Sequence, residues 1–214
     1  MSDSSPTERV TVYADYVCPF CYLGRRVLDR VRADRERPLA VDWHPFDLRY
    51  DSRAPDGSIE RAAAGKDEAY YDRARENVRR LQERYDVEMD RELATDVDSR
   101  PAQLASLAVR EREPERWEAF DGAVYGALWR ESRDIGDPAV LADLLESVGF
   151  SESTTVAAVL EDDELSARLD ERFVDARRTG VTGVPTFVVD GHVARGAVSP
   201  EHLERLLDGS GSNR

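Results

Sequence analysis

The alternating run from Val10 to Val17, VTVYADYV, leads without a break into Cys18-Pro19-Phe20-Cys21, and these are the only two cysteines in 214 residues. Alternation marks a half-buried strand. Proline suits the first turn of a helix, where its missing N–H is not needed. The chain must therefore pass from strand to helix at the first cysteine. Cys18 then sits at a helix N-terminus, where unpaired N–H groups and the positive end of the helix dipole favour thiolate over thiol. Cys21 follows one turn later. The pair reads as a dithiol for electron exchange, with Cys18 as the exposed, attacking thiol.

Two plainer uses of the pair fit the chain less well. A structural zinc ion needs four ligands, and the remaining candidates, His44, His192 and His202, are not at ligand spacing to one another. A static disulfide across two residues closes too small a loop to restrain the unfolded chain much. The chain is long enough to bury a real core without cross-links. No run approaches a membrane span, and the N-terminal MSDSSPTERV has neither a basic start nor an apolar stretch. The expected location is the cytoplasm, where a CxxC beside a βα unit points to a catalytic or redox-sensing pair.

Formal net charge is -14, and the 30 basic residues are all Arg except Lys66. Such a surface repels itself in dilute buffer, and molar salt, with a Debye length of about 3 Å, removes much of that penalty. An acidic, Lys-poor surface is expected of a halophilic protein; codon bias in a GC-rich genome is the alternative source. No basic stripe stands clear of interleaved Asp and Glu, so nucleic acid is not expected as a partner.

Residues 9–14 predict a strand, 19–34 a helix carrying Leu23, Val27, Leu28 and Val31, and Leu39 to Leu48 a second strand entering a loop, the strand parallel to the first through a right-handed crossover. From Asp51 to about Gly180 the pattern is helical. One helix carries Ala74, Val78, Leu81 and Tyr85, a second opens at Ser99-Arg100-Pro101, and a third carries Trp117, Phe120, Val124 and Leu128. A fourth runs between Asp137-Pro138 and Gly149, and a last one carries Leu165, Leu169, Phe173 and Ala176 up to Gly180. Strand character returns in VTGVPTFVV, turns at Asp190-Gly191 and comes back over Val193 to Gly196. A closing helix is capped by Ser199 and ended by Gly209.

The order βαβ, helices, α, ββα is that of an α/β thioredoxin fold interrupted by a large all-helical insertion. Residues 8–50 and 166–208 are assigned to the thioredoxin-like part, 51–165 to the insertion, and 1–7 and 209–214 to flexible tails. DYVCPFCYLG at the first strand–helix junction, VPTFVV before the hairpin and DIGDPAVLADLLESVG in the insertion together resemble the DsbA family, and within it the FrnE-like branch. That branch resembles in turn 2-hydroxychromene-2-carboxylate isomerase and the kappa-class glutathione transferases.

The resemblance implies a protein disulfide oxidoreductase or isomerase needing no metal and no organic cofactor, with protein or small-molecule thiols and disulfides as substrates, acting as a monomer or homodimer. It makes Cys18 the attacking thiolate and Cys21 the buried resolving thiol. Val184-Pro185 becomes a cis-proline loop whose backbone an extended substrate pairs with, and Pro19 and Phe20 join the substrate surface. The isomerase and transferase relatives place Ser at position 18, so the intact pair favours disulfide chemistry over a thiol-dependent small-molecule isomerase or transferase. Asp98 stands where related proteins often have Asn. His44 is a candidate proton carrier, and Asp15, three residues before Cys18, a candidate opponent of its ionisation.

Overall fold

The computed structural model describes residues 8–54, 59, 67–150 and 155–211. Strand β1 (Glu8–Ala14) buries Val10, Tyr13 and Ala14. Helix α1 (Pro19–Asp34) starts on Pro19 and buries Leu23, Val27, Leu28 and Val31, the stripe expected of it. It crosses to β2 (Leu39–Pro45), which lies parallel to β1 in the register Glu8 to Leu39 through Ala14 to Pro45. The ladder ends at Pro45, where the chain enters the expected loop and leads to a short 3-10 helix at Tyr50–Ser52.

The other half of the sheet comes from the far end of the chain. Strand β3 (Thr186–Val189) pairs antiparallel with β1, Thr11 opposite Val188, and β4 (His192–Arg195) pairs antiparallel with β3. Between them Asp190 and Gly191 take φ of 47° and 84°, as a tight hairpin requires. The order β2-β1-β3-β4 leaves β1 in the interior of the sheet, with the dithiol at its exit.

Helices α2 (Glu68–Tyr85), α3 (Arg100–Arg112), α4 (Trp117–Trp129), α5 (Pro138–Ser147), α6 (Val156–Leu160) and α7 (Asp163–Arg178) lie between β2 and β3 in sequence. The hub is α3, buried at every position from Ala102 to Val109 and packed by α4, α5, α6 and α7. One apolar cluster runs from the sheet (Val10, Trp43, Phe187) into these helices (Leu107, Phe120, Trp129), so sheet and insertion share a core.

Three boundaries differ from the sequence expectation. The five-residue α6 has too few turns to show a period. The closing helix, α8 (Pro200–Gly211), opens on Ser199, whose hydroxyl accepts from the His202 N–H, but runs through Gly209, which takes no stop conformation. The division drawn at 165/166 falls within α7. Residues 1–7 and 212–214, assigned to tails, lie outside the described residues.

Candidate functional site

Cys18 is the N-cap of α1, with extended φ and ψ of -89° and 113°, and Pro19 begins the helix. Its N–H donates to the Asp15 carbonyl at 3.1 Å, and its own carbonyl accepts from Cys21 and Tyr22 N–H at 3.0 and 3.3 Å, which winds the first turn. Cys21 is thereby held one turn along, beside Cys18, and both are free thiols. Across from them the Val184–Pro185 bond is cis. The Cys18 Sγ lies 3.5 Å from the Val184 carbonyl oxygen, to which it donates. The structure thus brings together Cys18, Cys21, Val184 and Pro185. Pro19 is buried and Phe20 is half-buried against the core.

The expectation of an exposed Cys18 is not met. Cys18 is 4% exposed and Cys21 2%, because Cys18 faces the Val184 carbonyl instead of open water. The loop can come so close because α1 carries Gly24 where it faces β3. A Cβ there would stand 3.1 Å from the Phe187 ring and 3.2 Å from the Pro185 ring.

Burial pushes the Cys21 thiol well above its usual range, and the hydrogen bond and charge of Cys18 push it the same way. Asp15 lies under the same turn at 1% exposure. Its carboxylate accepts from the N–H groups of Val17 and Leu48 at 3.2 and 2.9 Å, from Gln103 Nε2 at 3.3 Å and from the Ser99 hydroxyl. Burial first, and the nearby Asp47 second, nevertheless raise its pKa to about 6. Asp47 is held by Arg53 at 3.2 Å. Arg53 also grips Asp98 through two bonds of 2.8 and 2.9 Å, so the Asp98 carboxylate is engaged within the fold. His44, on β2, packs against Tyr13 with ring centroids 5.0 Å apart and tilted by 38°, and sits 3.7 Å from Asp42, and burial lowers its pKa.

The DSBA-like thioredoxin domain model matches residues 9–208. The chain belongs to the DSBA-like thioredoxin family. The chain is similar to the Bacillus subtilis protein YwbO, 26% identical over 208 residues that cover 94% of this chain and 96% of that one. The fold is also that of a probable DsbA oxidoreductase from Streptomyces coelicolor, at 23% identity, TM-score 0.78 and coverage of 97% and 91%. A 2-hydroxychromene-2-carboxylate isomerase superposes with TM-score 0.73 at 20% identity, over 95% of this chain and 94% of its own.

This DSBA-like domain has a second polar group near the dithiol that the sequence reading missed. Asp121, on α4, is 2% exposed, ion-paired with Arg25 of α1, and accepts from the Tyr16 hydroxyl at 3.0 Å. The Tyr16 oxygen also accepts from the Ser106 hydroxyl at 2.8 Å, and Ser106 accepts from Trp117 Nε1 at 3.0 Å. The signal was an Asp set between Phe120 and Val124 on an otherwise apolar helix face. Among the described residues, no group of three or more His, Cys, Asp or Glu is placed to hold a metal ion, and no helix is long and apolar enough to cross a membrane.

Proposed function

We propose that the protein is a thiol–disulfide oxidoreductase acting on protein or small-molecule disulfides. The observation that carries this is the Cys18 thiol at the N-cap of α1, with a second thiol one turn on and the Val184 carbonyl 3.5 Å away. Cys18 as thiolate attacks a substrate disulfide, the distal substrate sulfur leaves as a thiolate, and a mixed disulfide forms. Cys21 then attacks Cys18, the second substrate thiolate leaves, and Cys18–Cys21 is oxidised; the reverse sequence oxidises a substrate dithiol. Small movements of the loop at Val184 would open Cys18 to its substrate. A cytoplasmic, high-salt setting accords with the acidic, Lys-poor sequence.

Replacing the resolving thiol tests the reading. Cys21→Ser is expected to accumulate a mixed disulfide through Cys18, seen as a reductant-sensitive band on a non-reducing gel, whereas Cys18→Ser traps nothing and reduces no insulin. The likeness to 2-hydroxychromene-2-carboxylate isomerase motivates one rival, a thiol-dependent small-molecule isomerase. Turnover of an aromatic acid by Cys21→Ser at the wild-type rate, with no disulfide exchange by either protein, would establish that rival instead.

A further inference from the structure

From its N-cap onward, helix α1 places Cys18, Tyr22 and Arg26 four residues apart, so they follow one another along one face. Tyr22 is only 4% exposed, with its ring set against Tyr125 and Trp129 of α4 at centroid distances of 5.9 and 6.5 Å. A buried tyrosine ordinarily ties its hydroxyl to a partner. Among the described residues the Tyr22 hydroxyl has none, and its oxygen is not sealed in but reaches a cavity of about 240 Å³. The other walls are Arg26, Arg130 and the Asp86-Val87-Glu88 stretch that leaves α2. That stretch turns through Asp86 at φ 50° and is pinned to the end of α4, where the Asp90 N–H donates to the Trp129 carbonyl at 2.7 Å. Trp129 Nε1 donates in turn to the Tyr16 carbonyl at 2.9 Å, two residues before Cys18. The cavity therefore lies beside the first turns of α1, on the face that Cys18 begins.

The charges around this cavity are held apart. Elsewhere on the surface arginines reach a carboxylate, as Arg32 does Glu118 and Arg133 does Asp143. Among the described residues Arg130 makes no ion pair, nor do the Asp86 and Glu88 carboxylates, and Arg26 meets only Asp29 of its own helix, at 3.6 Å. Burial raises the Tyr22 pKa, Arg26 and Arg130 oppose the rise and Asp29 and Glu88 add to it, so these charges all lie close to the hydroxyl. Two guanidinium groups and two carboxylates thus line one cavity without closing on each other. The gap suits a ligand that carries both charges. A carboxylate meets Arg26, Arg130 and the Tyr22 hydroxyl, and an ammonium meets Asp86 and Glu88. An α-amino acid bears these two groups on one carbon, and the cavity is smaller than the roughly 300–1,000 Å³ that drug-sized ligands occupy. The Arg26 side chain is 48% exposed, which leaves an entrance from solvent.

We propose that this cavity binds the α-carboxylate and α-ammonium of an amino-acid disulfide of the cystine type and so presents its sulfurs to Cys18. The inference names a substrate class for the oxidoreductase reading and rests on it. Cys18 as thiolate attacks one sulfur of cystine, the S–S bond breaks, and one half leaves as a cysteine thiolate that takes a proton from solvent. The other half stays joined to Cys18. Cys21 gives up its proton to solvent and attacks Cys18, the second cysteine leaves as a thiolate, and the Cys18–Cys21 bond forms. Two protein thiols are oxidised and one cystine is reduced by two electrons to two cysteines. Tyr22, Arg26 and Arg130 touch the end of the substrate remote from its sulfurs, and their role is specificity.

Four symmetrical disulfides separate the groups that the cavity would read. Cystine carries both charges, dithiodipropionate only carboxylates, cystamine only ammonium groups, and bis(hydroxyethyl) disulfide neither. Each is reacted with the reduced protein and the loss of free thiols is followed. Arg130→Gln is expected to lower the ratio of the cystine rate to the bis(hydroxyethyl) disulfide rate about tenfold, and Tyr22→Phe about threefold, as befits a charged and a neutral hydrogen bond. Glu88→Gln should slow cystine and cystamine relative to dithiodipropionate. A second arm needs no thiol chemistry: S-methylcysteine, which keeps both charges and has no reactive sulfur, should bind the wild type in calorimetry and bind Arg130→Gln about tenfold more weakly. Rate ratios unchanged in the variants, or S-methylcysteine that binds neither protein or both alike, overturns the amino-acid site. A wild type that binds S-methylcysteine as expected but reacts with none of the four disulfides overturns the oxidoreductase reading instead.

Discussion

Asp15 illustrates how a buried carboxylate can be well bonded and still uncomfortable. Four donors converge on it, yet burial and the neighbouring Asp47 raise its pKa from the ordinary 3.8 to about 6. Below pH 3.8 it is protonated whether the chain is folded or not. Between pH 3.8 and 6 the folded state keeps a proton that the unfolded state has lost, so its contribution to stability falls as pH rises. Above 6 both states are ionised and the folded one bears the full cost, about 2–3 kcal/mol. Asp15→Asn carries no such cost. Its stability relative to the wild type is therefore expected to improve by about that amount between pH 4.5 and 8, measured by denaturant unfolding at fixed salt. A pH-independent difference would mean that Asp15 is ionised in the folded protein as readily as in the unfolded one.

At the level of elements, α1 and β3 are set by how closely they approach. Glycine within a helix costs about 1 kcal/mol relative to alanine, so Gly24→Ala ought to strengthen α1. The new methyl would meet the Phe187 and Pro185 rings at 3.1 and 3.2 Å. Phe187 is 1% exposed in the middle of β3 and has nowhere to go. Overpacking of that kind costs about 1–3 kcal/mol. Gly24→Ala is expected to lower stability by about 1 kcal/mol net, in thermal or denaturant unfolding, and to slow reaction of Cys18 with disulfides by displacing the loop. Elements with a strong local signature were legible from the chain alone: β1 by alternation, α1 by its proline start and apolar stripe, the β3–β4 turn by Asp190-Gly191, and α5 by its Asp137 cap. What depends on distant partners was not. The burial of Cys18 comes from Val184, which leaves no mark on the sequence around the dithiol, and the Arg25–Asp121 pair joins α1 to α4, so the Asp that interrupts the apolar face of α4 does not name its partner.

For the molecule as a whole, charge and topology make separate demands. Exposed Arg–acid pairs such as Arg32–Glu118 and Arg133–Asp143 are numerous, but each is worth about 0–1 kcal/mol and weakens with salt. The excess of acidic over basic residues, a net charge of -14, acts against the compact state at every pair distance and is also relieved by salt. Repulsion over the whole surface outweighs these individually weak pairs, so the melting temperature is expected to rise from dilute buffer to molar KCl. A melting temperature that falls or holds still on adding salt would show that the pairs dominate. Topology bears on a different moment in the protein's life. Thr11 pairs with Val188, so the strand beside which the dithiol forms must wait for all the residues between them before its second neighbour arrives. On the ribosome, Cys18 emerges 166 residues ahead of the Val184 carbonyl that will lie against it, with Cys21 close behind. A growing chain therefore presents both thiols bare to any oxidant it meets, and the protection seen in the finished protein begins only once Val184 has emerged and docked.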